Sequence, residues 1–261
     1  MIRKPIAFIL VQFFIGSVCA QISPPGLDDT NAAFWTAVGI SQKISDRWSF
    51  AVYAGAARES NPDNYSLVLK PAIFVVNQET QYQFDQHWSL SLCASYRTQN
   101  RYEEEAPYDE ATPEIRKEAR YYSRLYFKEK TGRVGLTFSF RPEFRTYYAE
   151  HGHVWRPINE EMRFRLKGQA SVPLNKSNTN QFIVANEVLS ATDHLKDNRA
   201  HHWTHYAFTE DRLSTYFRHT FSQPAIIMDL GVMHQIKSTG QYIPHLAFDL
   251  IFQNLLWKPK T

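Results

Sequence analysis

Seven arginines stand in segments where polar and apolar residues alternate: Arg120, Arg124, Arg141, Arg145, Arg163, Arg165 and Arg212. Alternate residues of a β-strand point to the same side, so the arginines of each segment share one face. A guanidinium stays charged at all ordinary pH values, and it binds carboxylates and phosphates through paired hydrogen bonds. The chemistry open to these residues is therefore ion pairing with acids of the same face, or recognition of an anion. We treat the seven as a candidate anion-binding set.

Other reactive groups match no catalytic or metal-binding motif. The sequence has no G-x-S-x-G, no phosphate-binding glycine loop and no H-E-x-x-H. Ser214 and His219 share one predicted strand, but their odd spacing puts them on opposite faces. Two groups of histidines, at 151–153 and 194–205, fall in predicted loops with no cysteine or helix to complete a ligand set. We predict no enzymatic activity, no cofactor and no metal site.

The composition indicates one sizeable folded unit. The 261 residues are 43% hydrophobic and 15% aromatic, with a net charge of +3. This small charge excludes a general nucleic-acid-binding surface. The mean hydropathy is −0.44, and past residue 20 no apolar run approaches the ~18 residues of a membrane-spanning helix. A helical membrane protein is excluded, whereas a β-barrel remains compatible with the sequence.

Residues 1–20 read as a cleaved signal peptide. Arg3 and Lys4 precede an apolar stretch, and the small residues Val18 and Ala20 occupy the −3 and −1 positions of a cleavage site. We predict Gln21 as the mature N-terminus. Cleavage leaves Cys93 as the one cysteine, so the exported protein has no intramolecular disulfide.

A period of two dominates the chain after residue 33. Across residues 133–147 one face carries Val134, Leu136, Phe138, Phe140, Pro142 and Phe144, and the other carries Thr137, Ser139, Arg141, Glu143 and Arg145. Similar alternation gives eleven segments, near 33–44, 48–58, 65–84, 88–98, 119–129, 133–147, 160–172, 180–191, 206–221, 225–236 and 243–256. Single-chain bacterial outer-membrane barrels normally have an even number of strands. We therefore predict a single antiparallel transmembrane β-barrel of about 12 strands, with 10 as the alternative.

The predicted connections alternate between short and long. Short turns at 44–47, 84–87, 130–132, 175–180 and 222–224 separate longer polar links at 59–64, 98–118, 148–160, 192–206 and 237–243. This asymmetry is typical of outer-membrane barrels, with short periplasmic turns and longer extracellular loops. Trp48 and Trp88 each follow a short turn, where an interfacial aromatic girdle lies. The acidic link 98–118, which includes Glu118, is expected to be a solvated loop.

Several short motifs resemble those of a known family. They are Trp35 and Trp48 around the first turn, the Arg- and Tyr-rich strand 119–128, Arg163-Phe-Arg165, Asn186-Glu187, and Arg212-Leu213. They are similar to a family of Gram-negative (Bacteroidota-type) outer-membrane β-barrels known only as a domain of unknown function. The resemblance covers roughly residues 34–256 and implies a barrel in the outer membrane, with no catalytic residues.

These observations divide the chain into a signal peptide at 1–20, an N-terminal extension at 21–32, the barrel at 33–257 and a C-terminal tail at 258–261. If the apolar face meets lipid, eleven basic residues face the lumen: Arg120, Arg124, Lys128, Arg133, Arg141, Arg145, Arg163, Arg165, Lys167, Arg212 and Arg218. The inward acids are Glu143, Glu161, Glu187, Asp229 and Asp249. Buried charges must be paired, hydrated or neutralised by an anion.

We predict a non-enzymatic structural or accessory protein of the outer membrane with a charged, largely filled lumen. An anion-preferring pore, or a binder of a small anionic ligand, is the first alternative. An outer-membrane enzyme and a soluble, secreted lipocalin-like barrel are the others. The expected partners are outer-membrane lipid, with lipopolysaccharide and other outer-membrane proteins as candidates, and no nucleic acid.

Overall fold

All regular structure in the described chain is β-strand. The computed structural model describes residues 24, 26–27, 29–151, 154–197 and 200–256. No helix among these residues is long and apolar enough to cross a membrane. The predicted signal peptide, Trp257 and the predicted tail at 258–261 lie outside the described residues.

Twelve strands follow one another in the described part of the chain. They are β1 (Ala33–Lys43), β2 (Trp48–Glu59), β3 (Lys70–Gln83), β4 (Trp88–Tyr102), β5 (Glu110–Thr131), β6 (Val134–His151), β7 (Val154–Pro173), β8 (Asn180–Asp197), β9 (Ala200–Trp203), β10 (Ala207–Ser222), β11 (Ala225–Lys237) and β12 (Tyr242–Gln253). Their alternating β-branched and aromatic residues suit the two faces of a pleated sheet.

Eleven of these strands form a closed barrel. Antiparallel hairpins connect β1 through β8, β8 pairs with β10, and β10, β11 and β12 complete the circuit. The barrel closes where β12 pairs with β1, and this pair is parallel. The short β9 lies outside the closed ring, because it pairs with residues 194–197 of β8 beyond the contact between β8 and β10.

The predicted all-antiparallel barrel of about 12 or 10 strands therefore needs correction. The eleven alternating segments counted in the sequence correspond to the eleven barrel strands, and the even number taken from bacterial barrels does not apply. When hairpins join an odd number of strands, the first and last strands run in the same direction. Their closing pair must then be parallel, as β1 and β12 are.

The short turns lie together at one end of the barrel, as predicted. Three of the longer links at the opposite end are not the loops that were predicted. One end, the turn end, has connections of two to six residues at 44–47, 84–87, 132–133, 174–179 and 223–224. At the opposite end, the loop end, the predicted loops 98–118, 148–160 and 192–206 are largely strand. Pairs such as Glu150 with Trp155 continue the ladders past the barrel as hairpins. The sequences of these hairpins lack an apolar face, so polar and apolar residues do not alternate in them. For that reason the period-two pattern did not predict these parts of the strands.

The outward face of the barrel is apolar. Large side chains exposed there include Val38, Ile40, Val52, Phe74, Val76, Leu92, Phe138, Phe140, Leu166, Val184, Leu213, Phe217, Leu230 and Val232. The alternate positions point inward, and many carry charge: Phe138 is 52% exposed, whereas Arg141 three residues later is 9% exposed. Polar groups inside and hydrophobic groups outside reverse the arrangement of a water-soluble protein.

An apolar cluster fills one side of the lumen, mainly along β1 to β3 and β10 to β12. Trp35 and Tyr216 are its largest members, and both are buried. Gly55 provides space for Trp35, since a Cβ at Gly55 would come within 2.2 Å of the indole ring. Gly231 likewise leaves room for the ring of Tyr216.

The chain before β1 enters the lumen at the loop end. Leu27 is 1% exposed, and its N–H donates to Oε1 of Gln235 over 3.1 Å. Pro24 accepts a hydrogen bond of 3.1 Å from Arg212. Thr30 is also buried, where it bonds Ser60. The described part of residues 24–32, the N-terminal segment, is thus held inside the barrel by side chains of several strands.

Candidate functional site

A cavity of about 310 Å³ lies in the lumen, mostly along β4 to β7 and β10. Twelve basic residues line it: Arg97, Arg116, Arg120, Arg124, Lys128, Arg141, Arg145, Arg163, Arg165, Lys167, Arg212 and Lys237. The carboxylates in its lining are Glu118, Glu161, Glu187 and Glu210. The cavity therefore has a strong excess of positive side chains.

All seven arginines of the candidate set line this cavity. Strands β5, β6, β7 and β10 contribute them, and the period-two pattern puts every one on the inward face. Their side chains are at most 14% exposed. The structure thus brings together residues that are separated by up to 92 positions in sequence.

Four of these arginines alternate with four glutamates in a closed circuit of ion pairs, the Arg–Glu ring. In order, its members are Arg145, Glu161, Arg163, Glu210, Arg212, Glu187, Arg165 and Glu143. The ring spans the neighbouring strands β6, β7, β8 and β10. With four positive and four negative groups it is neutral as a unit.

The loop-end half of the ring is tightly paired. Arg163 Nε lies 2.7 Å from Glu161, and its Nη1 lies 3.2 Å from Glu210. Arg212 is 2.5 Å from Glu210, while Arg145 is 3.5 Å from Glu161. Each carboxylate is shared by two guanidinium groups, which is the arrangement that offsets the cost of removing these charges from water.

The other half of the ring depends on a bidentate pair. Arg165 donates to Glu187 through Nε at 3.1 Å and Nη2 at 2.6 Å. It also lies 3.7 Å from Glu143, which Arg145 contacts as well. Arg212, 3.9 Å from Glu187, completes the circuit. Because paired guanidinium–carboxylate contacts have a fixed geometry, they hold these four strands in register.

Further ion pairs extend from the ring. Glu118 pairs with Arg120 and lies 3.4 Å from Arg145, and Arg97 is 3.9 Å away. Separately, Arg218 makes a bidentate contact with Asp229, at 2.7 and 2.6 Å. The lumen is therefore cross-linked by charge over most of its height.

The turn-end part of the cavity has a different lining. Arg141 stacks on the ring of Tyr122, at 3.5 Å from the centroid. Arg124 donates to the hydroxyl of Tyr126 over 2.5 Å and lies 3.7 Å from Glu79. Cations here thus contact aromatic rings and a hydroxyl group in addition to the carboxylates of Glu79 and Glu143.

Several inward residues escaped the sequence analysis. Glu118 is 2% exposed, so its assignment to a solvated loop was wrong. Glu79, Arg97 and Glu210 are also buried lumen residues that alternation alone did not select. Conversely, the predicted inward Arg133 is exposed in the turn between β5 and β6. Counting back by two residues from the inward Arg120 would have placed Glu118 on the same inward face.

The remaining reactive groups do not converge. Ser214 points inward and donates to the carbonyl of Ala185, whereas His219 lies on the opposite face and contacts Asn180. Within the described ranges, no group of three or more His, Cys, Asp or Glu side chains could hold a metal ion. Of the predicted histidine clusters, His153 lies outside those ranges.

A comparison with protein families identifies the family to which the chain belongs. The sequence model described as "Protein of unknown function (DUF2490)" matches residues 32–242. The chain belongs to the DUF2490 family. The match begins next to β1 and ends at the first residue of β12, so it covers β1 to β11 and leaves out nearly all of β12. The predicted resemblance to a family of unknown function is confirmed. A search of curated proteins gives no match.

Proposed function

We propose that this DUF2490 protein is an outer-membrane β-barrel with a closed, ion-paired lumen and a structural or accessory role. One observation carries the proposal: apolar side chains cover the outside of the barrel while charged groups fill the inside. In a bilayer this arrangement satisfies both faces, since lipid meets the apolar residues and the charges pair among themselves. The soluble lipocalin-like alternative requires the opposite distribution.

Strand length and aromatic placement support the membrane location. Every barrel strand has at least 11 residues, and a tilted strand needs about 9–11 to cross a bilayer. At the turn end Trp48 packs against Tyr82 with a centroid distance of 4.8 Å, and Trp88 packs against Phe127 at 4.9 Å. Both tryptophans are exposed, as residues of an interfacial girdle are.

Side chains from both sides close the lumen. The Arg–Glu ring occupies the side of β6 to β10, and the cluster around Trp35 occupies the side of β1 and β12. Arg212 connects the ring with the cluster. It belongs to the ring and donates to Pro24 of the N-terminal segment, whose Leu27 is a member of the cluster. A barrel of eleven strands is also narrower than the 16–18-stranded porins that leave an aqueous channel.

Membrane fractionation tests the location. We expect the mature protein, beginning at Gln21, to appear in outer-membrane fractions and to change its gel mobility on boiling, because a folded barrel resists detergent. Recovery in the soluble periplasmic fraction, with unchanged mobility, would contradict the proposal. If the protein is found in the outer membrane, crosslinking in intact cells tests for the expected neighbours, which are lipopolysaccharide and other outer-membrane proteins.

Conductance tests closure. We expect purified protein in a planar bilayer to be electrically silent. The anion-preferring pore is the second candidate, and the excess of basic residues in the cavity favours it. A steady, anion-selective conductance that falls on joint replacement of Arg141, Arg163 and Arg165 by Gln would establish the pore instead.

A further inference from the structure

We propose that the turn-end part of the lumen cavity is a binding site for a small phosphate-type anion. The basic groups of this site are Arg124, Lys128, Arg141 and Lys167, and Ser139 lies between them. The inference goes beyond the proposed function, because it assigns a ligand to space that the closed barrel retains.

The strand register brings these residues to one patch of the inner wall. Ser139 of β6 pairs with Tyr126 of β5 on one side and with Lys167 of β7 on the other. Lys128 pairs with Thr137, one inward position below Ser139. Arg141 stands one inward position above Ser139, on the same strand. All line the same cavity, so their charged ends share one space.

Few carboxylates serve these four cations. Glu143 contacts Arg141 at 2.5 Å, but it also belongs to the Arg–Glu ring through Arg145 and Arg165. Glu187 faces Lys167 across the strand pair and also makes the bidentate contact with Arg165. Because Glu143 and Glu187 each serve arginines of the ring as well as this patch, their negative charge is shared among more cations than it can neutralise, and the turn-end patch keeps an excess of positive charge.

Glu79 is a third carboxylate near this patch. It lies 3.7 Å from Arg124, and it also accepts a hydrogen bond from Tyr126. Buried positive charge in excess of its local acids is costly unless an anion completes it. A bound anion would therefore lower the free energy of the folded barrel as well as occupy the cavity.

Size and chemistry select the class of ligand. The whole cavity, of which this site is the turn-end part, has a volume of about 310 Å³, which is already at the lower end of the ~300–1,000 Å³ typical of small-molecule sites. The site therefore suits only a small ligand. Phosphate offers several oxygens that guanidinium groups bind in pairs, and ammonium groups add point charges. A multivalent oxyanion consequently fits this patch better than a halide does.

Titration calorimetry with inorganic phosphate and pyrophosphate tests the site. The protein is used folded in a phosphate-free, uncharged detergent at constant chloride concentration. We expect saturable binding by the unaltered protein. Ser139→Glu should raise the Kd at least about tenfold, because it puts a negative charge among the four cations. Ser139→Gln is the matched control of equal size, and its Kd should stay close to that of the unaltered protein.

A second pair of variants removes positive charge. Joint replacement Arg124→Gln and Lys167→Gln should also weaken binding at least about tenfold. Arg133→Gln, which changes an exposed turn residue, should leave the Kd unchanged. The mobility shift on boiling establishes that each variant is folded before its titration is interpreted.

Chemical modification provides a measurement without any substitution. Phosphate should slow the reaction of Lys128 with an amine-specific reagent, while Lys130, which is exposed near the end of β5, should react at the same rate. Absence of phosphate binding by the folded, unaltered protein would overturn the inference, as would equal Kd values for Ser139→Glu and Ser139→Gln. Binding is measured on folded protein in detergent. Either result would therefore overturn the anion site without deciding the membrane location or the closure of the lumen, which fractionation and conductance test separately.

Discussion

Trp35 donates its indole N–H to the carboxylate of Asp249 over 3.0 Å, and this bond crosses the parallel seam between β1 and β12. Both side chains are buried in the lumen. Although 214 residues separate them along the chain, the register places Asp249 beside Ala37, one inward position from Trp35. A polar contact thus joins the first and last strands of the barrel where it closes.

The seam contact should contribute measurably to stability. Asp249→Ala leaves the buried indole N–H without its acceptor, and we expect a loss of about 1–3 kcal/mol. Asp249→Asn keeps an acceptor oxygen and should lose less. The midpoint of urea unfolding, followed by tryptophan fluorescence, measures both variants. Equal midpoints for Asp249→Ala and the unaltered protein would contradict this role.

The glycine beneath Trp35 should not tolerate a side chain. Gly55→Ala places a methyl group within 2.2 Å of the indole, and overpacking of this kind costs about 1–3 kcal/mol. Gly168→Ala is the control, since its nearest neighbour would be Phe138 at 3.7 Å, an ordinary contact. We expect a lower unfolding midpoint for the first variant alone.

The two faces of β6 should respond differently to the same residue. Phe138→Arg puts a cation on the outward face, where at mid-bilayer it costs about 2–4 kcal/mol. Thr137→Arg puts the cation at the cavity wall and should be tolerated better. The fraction of each variant that shows the folded gel mobility after export measures the difference. Equal damage would remove the support for a lipid-facing surface.

The Arg–Glu ring should be sensitive to loss of a single charge. Glu187→Gln leaves Arg165 and Arg212 without their shared carboxylate, and breaking a buried ion pair costs about 3–5 kcal/mol. Asp46→Asn removes the same charge from an exposed pair with Lys43, where about 0–1 kcal/mol is expected. Denaturant unfolding in detergent distinguishes the two, and a comparable small effect of both would show that the ring does not stabilise the barrel.

The turn between β3 and β4 should respond to acid. The backbone N–H groups of Trp88 and His87 donate to Asp85, and these bonds lower its pKa below the ordinary value of 3.8. A lowered folded-state pKa means that the contribution is complete above the unfolded pKa and disappears as the pH falls through the folded one. The stability difference between the unaltered protein and Asp85→Asn should therefore shrink below pH ~4. A difference independent of pH would contradict this assignment.

The facing of the strands could be predicted because hydrophobicity changes sign at every residue. The exposed Phe138 and the buried Arg141 follow from the sequence pattern alone. Glu118 lies one inward position before Arg120 and fits the same pattern. It was missed because the acidic composition of residues 98–118 was interpreted as a solvated loop, although β5 continues through residues 110–118.

The pairing partners could not be predicted in the same way. The contact of Arg163 with Glu210 depends on the stagger of β7, β8 and β10, which no local pattern specifies. The parallel seam is likewise a property of the whole circuit, since it follows from the parity of the strand number. The entry of Leu27 into the lumen also depends on a distant partner, Gln235.

The parallel seam also has a kinetic consequence. Neighbouring hairpins can form as soon as two successive strands exist, but β1 has no partner on its outer side until β12 has been made. Contacts between such distant segments form slowly, because a long loop must close first. Closure is therefore expected to be the last step of folding. Until then, the unpaired edges of β1 and β12 are templates to which another strand, from a second chain or a folding factor, can add.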